Sequence, residues 1–345
     1  MPWDESWSGR AVSPAGVLAS VDRRVARDEA GAGVTPIITV ENLVKRYRSG
    51  TTNAVDGISF TVAAGEFFTL LGPNGAGKTT TISVLTTTLT PTAGSVVIAG
   101  HDVVTEAAAV RRNVGIIFQQ PSLDQNLTAE ENVRFHAVLY GLYPFRPSFA
   151  MMPREYRERV HDLAAIIGIE RELMWPIKTF SGGMKRKLEI VRSLMHRPRV
   201  LFLDEPTVGL DPASRRNLWR YLTDVRAEHG VTVFLTTHYL DEAEQSDDVR
   251  VIKDGQIVAA GAPARLKAEL LRPYLLVDAA DREGLGSELR ALGVAFTEGR
   301  RFRIELDGHG VHDLLRAVQT PLTHVQTHDP TLEDAYLAIV EEPQT

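Results

Sequence analysis

The sequence contains no cysteine among its 345 residues, so disulfide bonds and thiolate metal sites are excluded. No apolar run reaches the roughly 18 residues of a membrane-spanning helix, and the start lacks the basic-then-apolar layout of a secretory signal. No long basic block is present, and the net charge of −6 argues against a general nucleic-acid binder. We therefore expect a chain that does not span a membrane, binds no nucleic acid and forms one large and one smaller domain.

The most informative motif is a glycine-rich stretch that matches the G-x-x-x-x-G-K-[ST] frame of a phosphate-binding P-loop. An apolar run before it indicates a buried strand, and helical spacing after it places the loop at a helix N-terminus, where anions bind. Lys78 would supply a cation and Thr79 a hydroxyl for Mg²⁺, while backbone N–H groups surround the phosphates. The loop that we predict to hold ATP or GTP consists of Gly72, Pro73, Asn74, Gly75, Ala76, Gly77, Lys78, Thr79 and Thr80.

Two carboxylates end a second apolar run, at residues 199–206. This pattern predicts a central strand that delivers Asp204 and Glu205 to the carboxyl edge of a sheet, where doubly wound folds bind ligands. Asp204 would hold Mg²⁺ through water, and Glu205 would orient the attacking water. The alternative is that the two acids only cap a strand, but a P-loop needs a metal-side carboxylate from a neighbouring strand.

A third motif, from Phe180 to Met184, resembles the L-S-G-G-Q signature of ABC ATPases. Ser181, Gly182 and Gly183 would open a helix, whose free N–H groups and dipole favour a second phosphate. Met184 departs from the glutamine usual in the family, although the phosphate contacts are expected from Ser181 and the glycine amides. Read alone, Ser-Gly-Gly would be an ordinary helix cap.

This resemblance implies roles for further residues. Tyr47 matches the aromatic residue on which adenine stacks, and Gln119 matches the glutamine that touches Mg²⁺ and links the site to the permease. Asp211 lies in a Gly-Leu-Asp-Pro stretch that resembles the loop crossing the dimer interface, and His238 matches the histidine that contacts the γ-phosphate. Each has a purely structural alternative, such as packing for Tyr47. The resemblance assigns catalysis to Lys78, Glu205 and His238, with Mg²⁺ held by Thr79, Gln119 and Asp204.

The expected fold is α/β: a P-loop NTPase core of the ABC ATPase type with a helical subdomain, plus a small C-terminal α+β domain of the ferredoxin-like kind. We expect a disordered extension over residues 1–36, because it is rich in small and charged residues. The ATPase domain would cover 37–268, with a helical insert at about 119–195. A regulatory domain would follow over 272–343, with its elements in the order strand, helix, strand, strand, helix, strand.

The tail at residues 329–337 resembles the P-x-L-E-D-x-[FY]-L ending of drug-exporter ABC ATPases of the daunorubicin-resistance type. That resemblance implies an ATP-hydrolysing subunit that pairs with a second copy and with a separate permease, at the cytoplasmic face of the membrane, to export a drug-like or lipid-like substrate. Non-transport ABC ATPases of repair or translation are the alternative. A gap of about sixty residues between Gln119 and Ser181 leaves no room for a long coiled coil, and only one P-loop is present.

An apolar segment at residues 143–153 lies within the helical insert. Exposed aromatic and methionine clusters mark partner surfaces. We therefore expect Phe145, Phe149, Met151 and Met152 to help form a permease-docking groove, with local packing as the alternative.

Overall fold

The computed structural model describes residues 35–48, 50–119, 122–270, 274–306, 311–328 and 331–341. By its internal contacts the chain forms two compact units, the first ending at Ala260 and the second beginning at Gly261. The predicted N-terminal extension lies outside the described residues except for its last two, and Pro36 is already the first residue of a strand. The predicted boundary at residue 36 therefore falls on the first residue of that strand. Among the described helices, none is both long and apolar enough to cross a membrane.

The first unit contains an antiparallel sheet of four strands in the order β2-β1-β4-β5. In β2 burial alternates along the strand, with Ile58, Phe60 and Val62 buried and Ser59 exposed, so one face of the strand packs into the core. The strands are β1 (Pro36–Lys45), β2 (Val55–Ala63), β4 (Ala93–Ile98) and β5 (His101–Asp102).

A second sheet of six strands carries the predicted motifs, in the order β10-β9-β3-β8-β7-β6. The pairs β6/β7, β7/β8, β8/β3 and β3/β9 are parallel, so their carboxyl ends share one edge. Asp254 and Gly255, both at positive φ, form the turn between β9 and β10. The strands are β3 (Phe67–Leu71), β6 (Val114–Ile117), β7 (Val200–Asp204), β8 (Thr232–Thr237), β9 (Asp248–Lys253) and β10 (Gln256–Gly261).

The central strands β3, β7 and β8 of the six-stranded sheet are buried along their whole length, and their alternate residues enter different cores. Phe68 and Phe234 stack at 4.9 Å in the core shared with the antiparallel sheet, whereas Phe67 and Leu235 face the helices on the other side. The helices of this unit are α1 (Lys78–Leu85), α2 (Ala107–Asn113), α3 (Ala129–Leu139), α4 (Arg154–Ile167), α5 (Gly182–Leu194), α6 (Pro212–His229) and α7 (Leu240–Ala243).

Helices α3, α4 and α5 form the predicted helical insert. Helix α3 begins after Thr128, whose side chain forms a reciprocal capping box with Glu131. The expected docking residues, however, divide into two groups. Met152 is buried and Phe149 packs against Tyr156, whereas Phe145 and Met151 are exposed. Placing Met152 in an exposed groove was therefore wrong, because its side chain completes the core beneath the loop.

The second unit contains a four-stranded antiparallel sheet in the order β12-β13-β11-β14. Its elements follow one another as strand, helix, strand, strand, helix, strand, which is the predicted succession. Alternate residues of the sheet pack against the two helices in a core that includes Leu275, Leu289 and Phe302. The elements are β11 (Tyr274–Ala279), β12 (Phe296–Glu298), β13 (Phe302–Glu305), β14 (Leu322–His328), α9 (Arg282–Ala291) and α10 (Val311–Ala317).

Two further helices belong to the second unit, α8 (Pro263–Leu270) and α11 (Leu332–Glu341). The predicted domain boundary at 268 placed most of α8 with the ATPase domain. The structure instead groups it with the C-terminal unit, where it contacts α11. Leu332 is buried in α11, while the side chains of Leu337 and Ile339 lie outside the described residues.

Candidate functional site

The glycine-rich loop joins β3 to α1 at the carboxyl edge of the six-stranded sheet. Gly77 has φ of 111°, and a Cβ there would lie 2.5 Å from the carbonyl oxygen of Ala54. A Cβ at Gly72 would overlap the carbonyl oxygen of Ile252. These positions need glycine because the loop passes directly over neighbouring backbone. Helix α1 begins at Lys78, so the free N–H groups of its first turn lie at the loop.

Lys78 is almost fully buried beneath this loop. Its Nζ donates hydrogen bonds to the carbonyl oxygens of Gly72 at 2.7 Å and Pro73 at 3.0 Å, and lies 3.4 Å from Oε1 of Glu205. Burial lowers the pKa of the Lys78 ammonium, while the nearby Glu205 carboxylate opposes that shift. The arrangement holds one cation between the loop and the carboxylate at the end of β7.

Asp204 is the last residue of β7, and hydroxyl groups surround its carboxylate. Oδ1 accepts a hydrogen bond from Thr236 Oγ1 at 2.6 Å and a longer one from Thr79 Oγ1 at 3.4 Å. Burial raises the pKa of the Asp204 carboxyl, and the bond from Thr236 works against that rise. The structure therefore brings the P-loop hydroxyl and the first predicted carboxylate together.

Glu205 follows Asp204 with a left-handed backbone, at φ of 45°. For a non-glycine residue this conformation costs on the order of 1–3 kcal/mol and is concentrated at functional sites. The N–H of Glu205 is satisfied by the carbonyl oxygen of Thr236 at 3.0 Å. Its carboxylate lies 3.4 Å from Gln119 Nε2 and 3.2 Å from His238 Nδ1. The strained turn thus aims Glu205 at the cleft, between the predicted glutamine and histidine.

Lys78, Gln119, Glu205 and His238 line one open cleft of about 510 Å³, whereas Asp204 is not among the described residues that line it. Ala54, Val208 and Tyr239 also line it, although their sequence carries no nucleotide-binding pattern that could have identified them. Tyr47 touches the rim, because its hydroxyl lies 3.1 Å from Thr80 Oγ1 and its ring is half exposed. The predicted residues that line the cleft are Asn74, Gly75, Gly77, Lys78, Thr79, Thr80, Gln119, Glu205 and His238.

Ser181, Gly182, Gly183 and Asp211 are not among the described residues that line this cleft. Ser181 caps α5 by accepting a hydrogen bond from the N–H of Met184 at 3.2 Å. Asp211 caps α6 and accepts a bond from Ser214 Oγ at 2.6 Å. A Cβ at Gly183 would lie 2.8 Å from the same Ser214 oxygen. The signature motif and the Asp211 loop therefore meet each other, away from the cleft of their own chain.

One buried carboxylate near the site was missed by the sequence analysis. Glu242 in α7 accepts hydrogen bonds from Thr207 Oγ1 and, at 2.5 Å, from Thr237 Oγ1. Thr207 lies two residues after Glu205, and Thr237 lies directly before His238. Burial raises the pKa of the Glu242 carboxyl, and these hydroxyl bonds counteract the rise. The only signal in the sequence was an acidic stretch that resembles a solvated helix.

The oxygen atoms beside the P-loop are of the kind that Mg²⁺ prefers. Thr79 Oγ1 and Asp204 Oδ1 lie 3.4 Å apart, and Gln119 lines the same cleft. Over the described ranges, no cluster of three or more His, Cys, Asp or Glu side chains could hold a metal. A cation here would therefore share its coordination with water and the phosphates of a nucleotide, which suits Mg²⁺ better than zinc.

Comparison with known proteins gives a consistent result. A family model described as ABC transporter matches residues 55–208. The Nod factor export ATP-binding protein I of Ralstonia nicotianae is 40% identical over 237 residues, covering 68% of this chain and 70% of that protein. The doxorubicin resistance ATP-binding protein DrrA of Mycobacterium tuberculosis is 34% identical over 321 residues, covering 89% and 94%.

Solved structures agree with this similarity. A dimeric ATP-binding cassette in a post-hydrolysis state, bound to ADP and phosphate, matches with a TM-score of 0.58 and 27% identity. The match covers 65% of this chain and 98% of that one. This chain therefore shares its fold, over 65% of its length, with a cassette that holds ADP and phosphate.

Proposed function

Because this chain belongs to the family of ABC transporter ATP-binding proteins, we propose that it drives export of a drug-like or lipid-like substrate through a separate permease. It binds and hydrolyses ATP as members of this family do. The observation that carries the proposal is the cleft in which Lys78, Glu205 and His238 converge at the end of the parallel sheet. The names of the relatives, which refer to export and resistance, support export over repair or translation.

In this proposal the P-loop binds the phosphates of ATP through its N–H groups and Lys78, and Tyr47 stacks on the adenine from the rim. Glu205 orients the attacking water, while His238 contacts the γ-phosphate. Mg²⁺ beside Thr79, Gln119 and Asp204 would neutralise charge on the phosphates. These groups act by position and charge, since phosphoryl transfer needs little covalent chemistry from the protein.

Two copies are proposed to face each other, so that Ser181, Gly182, Gly183 and Asp211 of one copy meet the ATP of the other. Support comes from the separation of these residues from their own cleft and from the dimeric form of a related cassette. The helix N-terminus that Ser181 caps offers N–H groups and a favourable dipole to a phosphate. The two copies would bind at the cytoplasmic face of the membrane through the permease.

The permease is proposed to contact an exposed patch on the helical insert, which we name the α3 patch: Phe135, Leu139 and Phe145. The rings of Phe135 and Phe145 stack at 6.1 Å, and Leu139 lies one turn along α3 from Phe135. Leu139 is 84% exposed, an unusual position for a large apolar side chain.

The C-terminal unit, in turn, is proposed to regulate or stabilise the dimer.

Inside-out vesicles that carry the protein with its permease test this proposal. With ATP and Mg²⁺ they should accumulate doxorubicin, measured by its fluorescence, and vesicles with Glu205→Gln should not. Lack of accumulation of doxorubicin, a fluorescent lipid and other cytotoxic dyes, with ATPase activity intact, would contradict drug or lipid export.

A further inference from the structure

Arg186 lies in the second turn of α5, the helix that Ser181 caps, and its guanidinium is buried. Nη1 donates to the carbonyl oxygen of Phe118 at 2.5 Å, and Nη2 donates to that of Gln119 at 3.3 Å. Nε donates to the carbonyl oxygen of Pro206 at 2.8 Å. One side chain therefore binds three backbone carbonyls, on two segments that are far apart in sequence.

Both segments end in the candidate active site. Phe118 and Gln119 follow β6, while Pro206 directly follows Glu205 after β7. The side chains of Gln119 and Glu205 meet at 3.4 Å. The pairing of β6 with β7 ends at Ile117 and Leu203, and among the described residues no backbone hydrogen bond joins the two loops that follow. The relative position of the two loops is thus set by the guanidinium as well as by the sheet.

Glu189, one turn further along α5, completes this arrangement. Its Oε2 lies 3.0 Å from Arg186 Nη1, and its Oε1 accepts a hydrogen bond from the N–H of Ser122 at 2.8 Å. Arg192 donates to the carbonyl oxygen of Ser122 at 2.8 Å. Arg186, Glu189 and Arg192, spaced three residues apart on α5, therefore bind the chain before residue 120, at Phe118 and Gln119, and after residue 121, at Ser122.

The chemistry of arginine suits this task better than that of lysine. A guanidinium presents five N–H donors in a rigid plane, so it can bind several carbonyls in fixed directions. A lysine ammonium is a point charge on a flexible stem and could reach one of these loops at a time. Charge-assisted hydrogen bonds to buried acceptors are also stronger than neutral ones, which favours a stiff connection.

We propose that Arg186 is a positioning residue for ATP hydrolysis, which fixes Gln119 relative to Glu205 and joins both to the helix begun by Ser181. When the N-terminus of α5 shifts on contact with the ATP of the second copy, the guanidinium moves both loops with it. Arg186 thereby connects the occupancy of one ATP site to the geometry of the other. The inference rests on the roles proposed for Gln119, Glu205 and Ser181.

The test compares two double variants of the full-length protein. Arg186→Met with Glu189→Gln neutralises both members of the buried pair, and Arg192, which lies 3.9 Å from Glu189, keeps its hydrogen bonds to Ser122. Arg134→Met with Glu130→Gln is the matched control, because Arg134 and Glu130 form an equally buried pair at 3.2 Å within α3, away from the cleft. Measurements are MANT-ATP binding, kcat and KM for ATP hydrolysis, and hydrogen exchange of the amides at residues 115–119 and 204–208.

We expect the Arg186 and Glu189 variant to bind MANT-ATP within about threefold of wild type and to lose about 10-fold to 100-fold in kcat, since small displacements of catalytic groups have effects of this size. Amide exchange in both segments should rise, and Arg186→Lys should recover kcat only in part. The control should keep wild-type kcat and exchange in these segments even if its melting temperature falls. An unchanged kcat, or an equal loss in the control, would overturn the inference.

Glu205→Gln, measured in parallel, separates this inference from the proposed function. If Glu205→Gln leaves hydrolysis intact, the proposed catalytic role of Glu205 fails. If it abolishes hydrolysis while the Arg186 and Glu189 variant retains full kcat, only the positioning role of Arg186 fails.

Discussion

His238 and Glu205 lie side by side at the ends of neighbouring parallel strands, with Nδ1 of the histidine 3.2 Å from Oε1 of the carboxylate. The imidazole is oriented so that this nitrogen makes no hydrogen bond. Nζ of Lys78, at the end of the P-loop, lies 3.4 Å from the same Oε1. Glu205 is therefore the point at which the P-loop, β7 and β8 converge, and its removal is the most direct test of the site.

Replacing Glu205 with Gln should abolish steady ATP hydrolysis and leave ATP binding intact. The amide keeps the size of the side chain but cannot act as a carboxylate toward the attacking water, so kcat should fall by about 10² to 10⁴. Stable ATP-bound dimers should accumulate and can be counted by size-exclusion chromatography. Lys78→Ala, as the contrasting variant, should lose tight ATP binding itself. Wild-type kcat for Glu205→Gln would remove Glu205 from its proposed role.

Replacing Gly72 with Ala should destabilise the P-loop and weaken ATP binding. The new methyl group would overlap the carbonyl oxygen of Ile252, and overpacking of this kind costs about 1–3 kcal/mol. Gly50→Ala is the control, since a Cβ there would lie 3.6 Å from the nearest carbonyl oxygens and make ordinary contact. Urea denaturation and MANT-ATP titration of both variants provide the measurement. Equal stability and affinity for the two variants would contradict the close approach seen at Gly72.

The stability of the protein should depend on pH through Glu242. Burial raises the pKa of this carboxyl above its unfolded value, so the folded state binds the proton more tightly than the unfolded state. The resulting stabilisation is complete below the unfolded pKa and is lost as the pH rises through the folded pKa. Glu242→Gln cannot titrate, so its free energy of unfolding should increase relative to wild type as the pH rises from 4.5 to 7.5. Urea denaturation across this range is the measurement, and parallel curves would disprove the effect.

Polar substitution in the α3 patch should separate docking from folding. Phe145→Ser should weaken co-purification with the permease and leave the melting temperature of the isolated subunit almost unchanged, because Phe145 is exposed. Met152→Ser is the contrasting variant: its side chain is buried, so truncation should cost about 2–5 kcal/mol of stability. A large loss of stability for Phe145→Ser with normal complex formation would assign that residue to packing instead.

Ending the chain after Ala260 should preserve ATP binding, since every described residue that lines the cleft lies before this point. Dimerisation or transport should fall if the C-terminal unit regulates the dimer. A chain that ends after residue 271 should be less soluble than the shorter one, because it keeps α8 without α11, the helix that α8 contacts. Nucleotide titration and light scattering compare the two. Loss of ATP binding in a folded chain ending at Ala260 would show that the C-terminal unit shapes the cleft.

Much of this protein follows from local sequence. The P-loop, the carboxylates after β7 and the succession of elements in the second unit were all predictable, because each depends on residues adjacent along the chain. Strand burial, helix capping and glycine turns obey rules with periods of a few residues. The capping box at Thr128 and Glu131 shows how completely such a rule can determine where a helix starts.

The tertiary structure alone decided which of these parts touch. Arg186 binds Gln119 from 67 positions away, and Gln119 meets Glu205 across 86 positions. Local sequence patterns do not specify such contacts, because they arise from the order of strands in the sheet and the packing of α5 against it; only the family resemblance placed Gln119 near the end of β7. For the same reason the burial of Met152 and the membership of α8 in the second unit could not be read from composition. The sequence by itself determined which functional side chains are present and on which local elements they lie. The packing of distant segments determined which of those side chains meet.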